Sequence, residues 1–236
     1  MHPVLFSCSG ITCTRTMRFL QEVLAMGEGI DRAAPFTTAE PLDCLLQNGI
    51  TFIGRYYSSS EWKNLTRTEA ELISSRGLYI VAVFQDAANY ADYFTYERGI
   101  NDCSAAIARA LNVGQPYGTP IYFAVDFEAH TGDPSLGQVE AYFEGVQKTM
   151  RQHAAANGGD KWELGVYGTY DVVTYIANWI MDITYVWQTY AWSSGQEFGG
   201  WNLYQYEDDR SLAACGAAGV IDRVRSNGNG GGFQVS

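Results

Sequence analysis

The segment Pro120-Ile-Tyr-Phe-Ala-Val-Asp-Phe-Glu128 combines an apolar run with two acids at its end. The run is apolar on both faces, which is typical of a central parallel strand that is covered on both sides. Residues two apart in a strand point to the same side, so Asp126 and Glu128 are predicted to project together from the carboxyl end of this strand. The segment Tyr79–Phe84 has the same apolar character and predicts a second strand of this kind.

Apolar runs of this length recur along the chain, and helical patterns separate the earlier ones. Strands are predicted at residues 29–31, 51–57, 78–85, 120–128, 163–167, 185–192, 202–206 and 219–224. Helices are predicted at residues 101–111, 135–156 and 171–180, and a further helix begins at the capping box Thr66-Arg-Thr-Glu69. This alternation in 236 residues favours an α/β fold of the closed, TIM-like (β/α)8 barrel type. The last predicted strands are separated by few residues along the sequence, which leaves little room for helices between them. We therefore expect reduced helices in the second half.

The barrel is predicted to form one domain from residue 27 to residue 225. Residues 1–26 contain an amphipathic stretch and are expected to form an N-terminal arm or helix, whereas residues 226–236 are expected to be a flexible Gly-rich tail. The run at residues 4–11 is short, contains Ser, Cys and Gly, and has no Lys or Arg before it, so it does not resemble a secretion signal. No stretch is apolar for long enough to span a membrane.

Composition excludes several classes of function. The formal net charge of −11, with no basic cluster, argues against a nucleic-acid or anionic-membrane partner. An odd number of cysteines without metal-like spacing predicts no metal site, and instead free, mostly buried thiols in a reducing compartment. These cysteines are Cys8, Cys13, Cys44, Cys103 and Cys215. The sequence has no Gly-rich phosphate loop, no zinc-spaced His pair and no nucleophile elbow, so no cofactor is expected.

The acid pair at the end of the fourth strand suggests hydrolytic chemistry. Two neighbouring carboxylates repel, which raises the pKa of at least one and can keep it protonated near neutral pH as a general acid. Glycosidic cleavage uses such an acid together with a second carboxylate. The alternative is that Asp126 and Glu128 cap the strand or bind a structural cation. Asp31 and Asp222 at other strand ends favour the catalytic interpretation, and His130 is interpreted as a loop residue beside the site.

Seven segments, in this order, resemble those of a known enzyme family. They are Gly29-Ile-Asp31, Phe52-Ile-Gly-Arg-Tyr-Tyr57, the segment from Pro120 to Glu128, Gly165-Val-Tyr-Gly168, Trp187-Gln-Thr-Tyr-Ala-Trp192, Leu203-Tyr-Gln-Tyr206 and Val220-Ile-Asp222. The chain resembles the family 25 glycoside hydrolases, lysozymes that cut between N-acetylmuramic acid and N-acetylglucosamine. It resembles still more closely a bacterial family of glycoside-hydrolase-like barrels of unassigned function.

The resemblance implies a role for each acid. Glu128 would be the general acid, and Asp126 would orient or stabilise the acetamido group of the substrate. Asp31 and Asp222 match acids that would hold water, tune Glu128 or contact sugar hydroxyls, although strand-end hydrogen bonding is an alternative for Asp222. Seven residues match the sugar-binding positions of the family or lie at strand ends in the same way, and they are expected to bind substrate. They are Arg55, Tyr57, Gln85, Tyr167, Gln188, Trp192 and Gln205. The alternative for the aromatic ones is that they pack in the core.

The function implied is cleavage of a cell-wall polysaccharide, with peptidoglycan as the expected substrate. A chitinase-like hydrolase is an alternative, but its Asp-x-Asp-x-Glu pattern is broken here by Ala124. A catalytically inactive glycan-binding barrel is a second alternative. Without a signal, the protein is expected to be made in the cytoplasm and to act in the cell wall or periplasm after release or secretion. Residues 1–26 would then be a docking arm for a delivery or immunity partner.

Overall fold

The computed structural model describes residues 27–212, 214, 215 and 219–236. The arm predicted for residues 1–26 lies outside the described residues, so it stays a prediction. In the described part of the chain, no helix is both long enough and apolar enough to cross a membrane.

Among the described residues, eight strands close into a barrel in chain order. They are β1 (Glu28–Asp31), β2 (Ile50–Tyr57), β3 (Tyr79–Phe84), β4 (Pro120–Ala124), β5 (Glu163–Gly168), β6 (Ile183–Thr189), β7 (Leu203–Ser211) and β8 (Val220–Ser226). Strands β1 to β7 run parallel to their neighbours in the series, whereas β8 is antiparallel to both β7 and β1. The predicted TIM-like barrel is confirmed, with one reversed strand that the sequence did not predict.

Helices cover the outside of the first five strands. They are α1 (Ala39–Gln47), α2 (Arg67–Ser75), α3 (Tyr96–Val113), α4 (Pro134–Ala156) and α5 (Tyr170–Trp179), with a short 3-10 turn at Ala91–Tyr93. The sequence interpretation missed α1. Residues 190–202, between β6 and β7, contain no helix, and no α-helix lies in the described part of the connection to β8. The predicted reduction of helices in the second half is therefore confirmed for these residues.

Threonine caps define the starts of three helices. The Thr66 side chain accepts a hydrogen bond from the Glu69 amide at the start of α2, as the capping box predicts. Thr95 and Thr169 cap α3 and α5 in the same way. The first turn of a helix leaves backbone amides without a partner inside the helix. Each threonine accepts a hydrogen bond from one of these amides and so fixes the residue at which its helix begins, beside the barrel mouth.

Trp187 occupies the middle of the barrel interior. Its ring lies 5.6 Å from the ring of Tyr122 and 5.3 Å from that of Tyr167, both edge to face. A Cβ atom on Gly54 would lie 2.7 Å from the Trp187 ring, so only glycine fits at that position of β2. Together these rings form an aromatic layer that separates the mouth from the base, the two ends of the barrel.

The C-terminal tail closes the base of the barrel. Phe233 is buried, and its amide and carbonyl pair with those of Ile80 at 2.9 and 2.8 Å. The Tyr122 hydroxyl donates to the Gly230 carbonyl from inside the barrel, at 3.0 Å. The flexibility expected for residues 226–236 is therefore corrected: the Gly-rich composition predicts a mobile chain, but a buried ring and main-chain hydrogen bonds fix it.

A disulfide joins Cys44 of α1 to Cys215, whose Cα atoms are 5.7 Å apart. This corrects the prediction of free thiols for these two residues. Their sequence separation of 171 residues explains the error, because spacing along the chain says nothing about contacts over that range. Cys103 is a buried free thiol, as expected, and Cys8 and Cys13 lie outside the described residues.

Candidate functional site

The carboxyl ends of the parallel strands surround a pocket of about 210 Å³ at the mouth. Carboxylates, amides and aromatic rings dominate its surface. The lining residues are Asp31, Tyr56, Val83, Gln85, Ala124, Asp126, Tyr167, Thr189, Ala191, Trp192, Gln205, Asp208, Asp209 and Asp222. Of the predicted site residues, the structure brings together Asp31, Gln85, Asp126, Tyr167, Trp192, Gln205 and Asp222.

Asp31 is the last residue of β1 and is the most buried of these acids. Its Oδ2 atom accepts a hydrogen bond of 2.7 Å from the Tyr56 hydroxyl, whereas its Oδ1 atom is buried with no partner in the described part of the chain. Burial, and then the charge of Asp222 across the β1–β8 pair, raise the pKa of Asp31 to about 7. Asp31 therefore holds its proton to a higher pH than an ordinary aspartate does.

Asp126 lies two residues beyond the end of β4. Its amide donates to the Ala88 carbonyl at 2.7 Å, which fixes the backbone there. Its Oδ2 atom accepts a hydrogen bond of 2.8 Å from Gln85 Nε2, and Lys63 Nζ lies 3.4 Å from Gln85 Oε1. Burial raises the pKa of Asp126, while the Gln85 hydrogen bond and the Lys63 charge oppose the shift.

Asp222 reaches the mouth because β8 runs in the opposite direction to the other strands. Its Oδ2 atom accepts from Gln205 Nε2 at 3.1 Å, and Gln205 Oε1 accepts from the Tyr167 hydroxyl at 3.0 Å. Its Oδ1 atom accepts from the Asp209 amide, at a residue with a φ of 49°. Burial raises the pKa of Asp222, and the carboxylates of Asp209, Asp208 and Asp126 raise it further. The pocket therefore contains three acids with raised pKa values, Asp31, Asp126 and Asp222, as is common in sites of acid–base catalysis.

Glu128 is not among the residues that line the pocket. Strand β4 ends at Ala124, so the two-residue alternation does not extend to Glu128, and the predicted common projection of the acid pair is corrected. The Glu128 side chain is 60% exposed, with Oε1 3.1 Å from His130 Nε2. His130 Nδ1 lies 3.2 Å from Asp171 Oδ2, and these hydrogen bonds to Asp171 and Glu128 raise the pKa of His130.

Arg55, Tyr57 and Gln188 point away from the pocket, which corrects their expected placement. Arg55 is fully buried against α2, where its guanidinium binds both carboxylate oxygens of Glu69 at 2.8 and 3.0 Å. Tyr57 donates to Gln115, and Gln188 bonds the main chain at residues 196 and 198. Because they alternate with inward-facing residues along their strands, their side chains lie on the outer face of the barrel, and they are not part of the candidate site.

The sequence interpretation missed several residues of the pocket. Tyr56 is the inward neighbour of Arg55 and Tyr57, and Thr189 follows Gln188 in the same way. Alternate residues of a strand point to opposite faces, so knowing which of them face the interior would have identified both residues. The outward-facing positions of this barrel are also buried, so hydrophobicity does not show which residues face the interior. Asp208 and Asp209 lie in the part of β7 that extends beyond the predicted strand.

Trp192 lines the pocket from a loop rather than from a strand. Strand β6 ends at Thr189, and Trp192 has a φ of 51° with about half of its side chain exposed. Such a backbone conformation is uncommon for a bulky residue and occurs at binding sites. No group of three or more His, Cys, Asp or Glu residues in the described ranges is arranged to hold a metal ion.

Residues 43–230 match the family described as "Rv2525c-like, glycoside hydrolase-like domain". The chain belongs to this family. A curated relative, the uncharacterized protein YbfG of Bacillus subtilis, is 31% identical over 142 residues, which cover 57% of this chain and 19% of that protein. The chain therefore spans about a fifth of the length of this relative.

Solved structures confirm the predicted fold and its likeness to family 25. The Tat-secreted protein Rv2525c of Mycobacterium tuberculosis is 21% identical, with a TM-score of 0.65 over 87% of this chain and 98% of that chain. The autolysin LytC of Streptococcus pneumoniae, in complex with a synthetic peptidoglycan ligand, is 12% identical with a TM-score of 0.59 over 84% and 46%. A family 25 glycosyl hydrolase from Bacillus anthracis is 16% identical with a TM-score of 0.51 over 86% and 89%.

Proposed function

We propose that this barrel is a glycoside hydrolase that cleaves a cell-wall polysaccharide, with peptidoglycan as its substrate. The observation that carries the proposal is the convergence of Asp31, Asp126 and Asp222, all with raised pKa values, on one pocket that also presents aromatic rings and amides. Such a pocket offers proton donors, hydrogen-bond partners for sugar hydroxyls, and faces on which sugar rings stack. The fold shared with LytC, which binds a peptidoglycan ligand, supports this substrate class.

In this proposal the substrate lies against Trp192 and Tyr167, and Asp126 orients its acetamido group. Gln85 and Gln205 present the amides that bond the sugar. Glu128 is the proton donor to the leaving oxygen, as the resemblance to family 25 implies. Its side chain must leave His130 and turn toward the mouth to act there, and its exposure makes that rotation inexpensive.

The disulfide supports action outside the cytoplasm, because such bonds persist in oxidising compartments. The Tat-secreted family member Rv2525c is consistent with this location. A role for residues 1–26 in delivery remains part of the proposal, to be tested by removing them and following export while activity on isolated walls is measured.

The test is digestion of purified peptidoglycan, with the released fragments analysed by mass spectrometry. Wild-type protein should create new reducing ends, and Glu128→Gln should lower the rate by about 10²–10⁴-fold because the proton donor is lost. Asp126→Asn should lower the rate by a similar factor. Glu144→Gln and Asp160→Asn, at exposed positions outside the pocket, should leave it unchanged. Undiminished turnover in Glu128→Gln would remove its assigned role, and absence of turnover in wild type would remove the hydrolase proposal.

One observation favours a second candidate, a barrel that binds glycans without cutting them. Glu128 pairs with His130 outside the pocket, so the binding surface is complete without it. In that case, calorimetry with peptidoglycan fragments should show binding by wild type and by Glu128→Gln with equal affinity. No fragment should be hydrolysed over many hours.

A further inference from the structure

A second depression of about 400 Å³ adjoins the mouth pocket. The two share four lining residues, namely Asp31, Tyr56, Asp209 and Asp222, so they form one continuous cleft. The second depression adds Arg32 and Trp62 to the surface, and the mouth pocket contributes Trp192. The cleft therefore extends from Trp192 past the acids to Trp62.

Arg32 has no carboxylate partner among the described residues, and the other charged residues that line the cleft are acids. No carboxylate of the described residues lies within 4 Å of its guanidinium. The guanidinium lies 4.2 Å above the Phe36 ring and donates to the Pro35 carbonyl at 3.1 Å. Its Nε atom is buried and has no hydrogen-bond partner in the described ranges. A guanidinium held in this way has donors left for a planar anion such as a carboxylate.

The neighbouring Arg55 holds the backbone beside this cation. Its Nη1 atom donates to the carbonyls of Arg32 and Ala33 at 2.6 and 3.0 Å. Glu69 neutralises the charge of Arg55 through two hydrogen bonds, so Arg55 acts on the loop and not on a ligand. The backbone that carries Arg32 is thereby held in place before any ligand arrives, which lowers the entropic cost of binding.

Trp62 supplies a flat apolar surface in the same depression. Its side chain is 64% exposed, although burial of a tryptophan ring is usually favourable. An exposed ring in the same depression as a cation suits a ligand that has both an apolar ring face and a negative charge. A sugar that carries a carboxylate substituent has both features, whereas a neutral sugar has only the first.

We propose that Arg32 and Trp62 form a subsite for an acidic sugar, in which the guanidinium binds the carboxylate and the indole stacks on the ring. This inference rests on the proposed function, since the subsite orients the polysaccharide across the mouth. Arg32 and Trp62 line only the second depression, so the subsite would hold the acidic sugar at that end of the cleft. The subsite therefore sets the register in which an alternating neutral and acidic glycan lies.

The test is calorimetric titration of the full chain with two matched probes. One is the disaccharide of N-acetylglucosamine and N-acetylmuramic acid, and the other is the same disaccharide with its carboxylate converted to the carboxamide. Wild type should bind the carboxylate form about tenfold or more tightly than the carboxamide. Arg32→Gln should abolish that preference, Arg32→Lys should retain part of it, and Trp62→Ala should weaken both probes by a similar factor.

Matched control variants lie at the opposite end of the barrel. Arg76→Gln removes an arginine at the end of α2, and Trp179→Ala removes an indole of nearly equal exposure on α5. Both should bind like wild type, and circular dichroism with thermal melting checks the fold of every variant. Binding of both probes without a preference, or a preference that survives Arg32→Gln, overturns the subsite but leaves the proposed function intact. No binding and no cleavage of any glycan by wild type overturns both.

Discussion

The two ends of the barrel are built on opposite principles. At the base, Phe233 and the surrounding tail bury an apolar ring and pair their backbone groups with β3. At the mouth, Asp31 is buried and Asp126 and Asp222 are partly buried, although burial disfavours their ionised forms, and one oxygen of Asp31 has no partner in the described part of the chain. The base therefore stabilises the fold, whereas the mouth lowers stability in a way that is typical of functional sites.

The aromatic layer around Trp187 explains how both ends coexist. It fills the interior between them, so changes at the base are separated from the pocket by packed rings. This separation leads to expectations that differ for the base, the rim and the mouth.

The largest expected effect lies at the base. Phe233→Ala should lower the free energy of unfolding by about 3–5 kcal/mol, because it removes a buried ring and leaves a cavity against β3. Denaturant titration measures the loss, and glycan binding by the folded fraction should be unchanged. Trp179→Ala removes an exposed ring and should cost about 1 kcal/mol or less. Equal losses in the two variants would show that the tail does not close the base.

An intermediate effect is expected at the rim, where the disulfide fixes the connection that leads into β8. Replacing both Cys44 and Cys215 by Ala should lower the free energy of unfolding by about 2–4 kcal/mol, because the closed loop is long. The connection continues into Gly219 and Val220, which line the cleft, so glycan affinity should fall as well. Comparison of denaturant curves with and without reductant measures the effect. Reductant should not change the double variant, and a wild type insensitive to reductant would contradict this account of the rim.

The sequence predicted the barrel and the acid-lined mouth because both depend on local patterns. The apolar run of β4 and the acid that follows it located Asp126, and the alternation of elements gave the closed sheet. Strand parity near Arg55 was not predictable, because positions on both faces of a barrel strand are buried and look alike. The placement of Glu128 depended on where β4 ends, which hydrophobicity does not mark.

Contacts between distant parts of the chain were beyond sequence reasoning. The pairing of Cys44 with Cys215 and the docking of Phe233 on β3 join segments more than 150 residues apart. The direction of β8, which brings Asp222 opposite Asp31, also depends on tertiary structure. Composition alone made the tail look mobile and the thiols look free.

The raised pKa of Asp31 gives the mouth a defined pH dependence. Its ordinary pKa of 3.8 rises to about 7 in the folded chain, so the folded state binds more protons than the unfolded state between these values. Stability from this group is therefore full at acid pH and is lost as the pH rises from about 4 through about 7. Asp126 and Asp222, whose pKa values are also raised, change stability in the same direction.

The free energy of unfolding of Asp31→Asn at pH 8, compared with wild type, tests the central claim most directly. The amide cannot ionise and still accepts the Tyr56 hydrogen bond, so the variant should be more stable by about 1–3 kcal/mol at pH 8. The gain should shrink toward zero at pH 4, where wild-type Asp31 is protonated when folded. Asp160→Asn, at an exposed position, should show no such pH-dependent difference. A variant that is less stable than wild type at pH 8 would contradict the claim that the mouth holds its acids at the expense of stability.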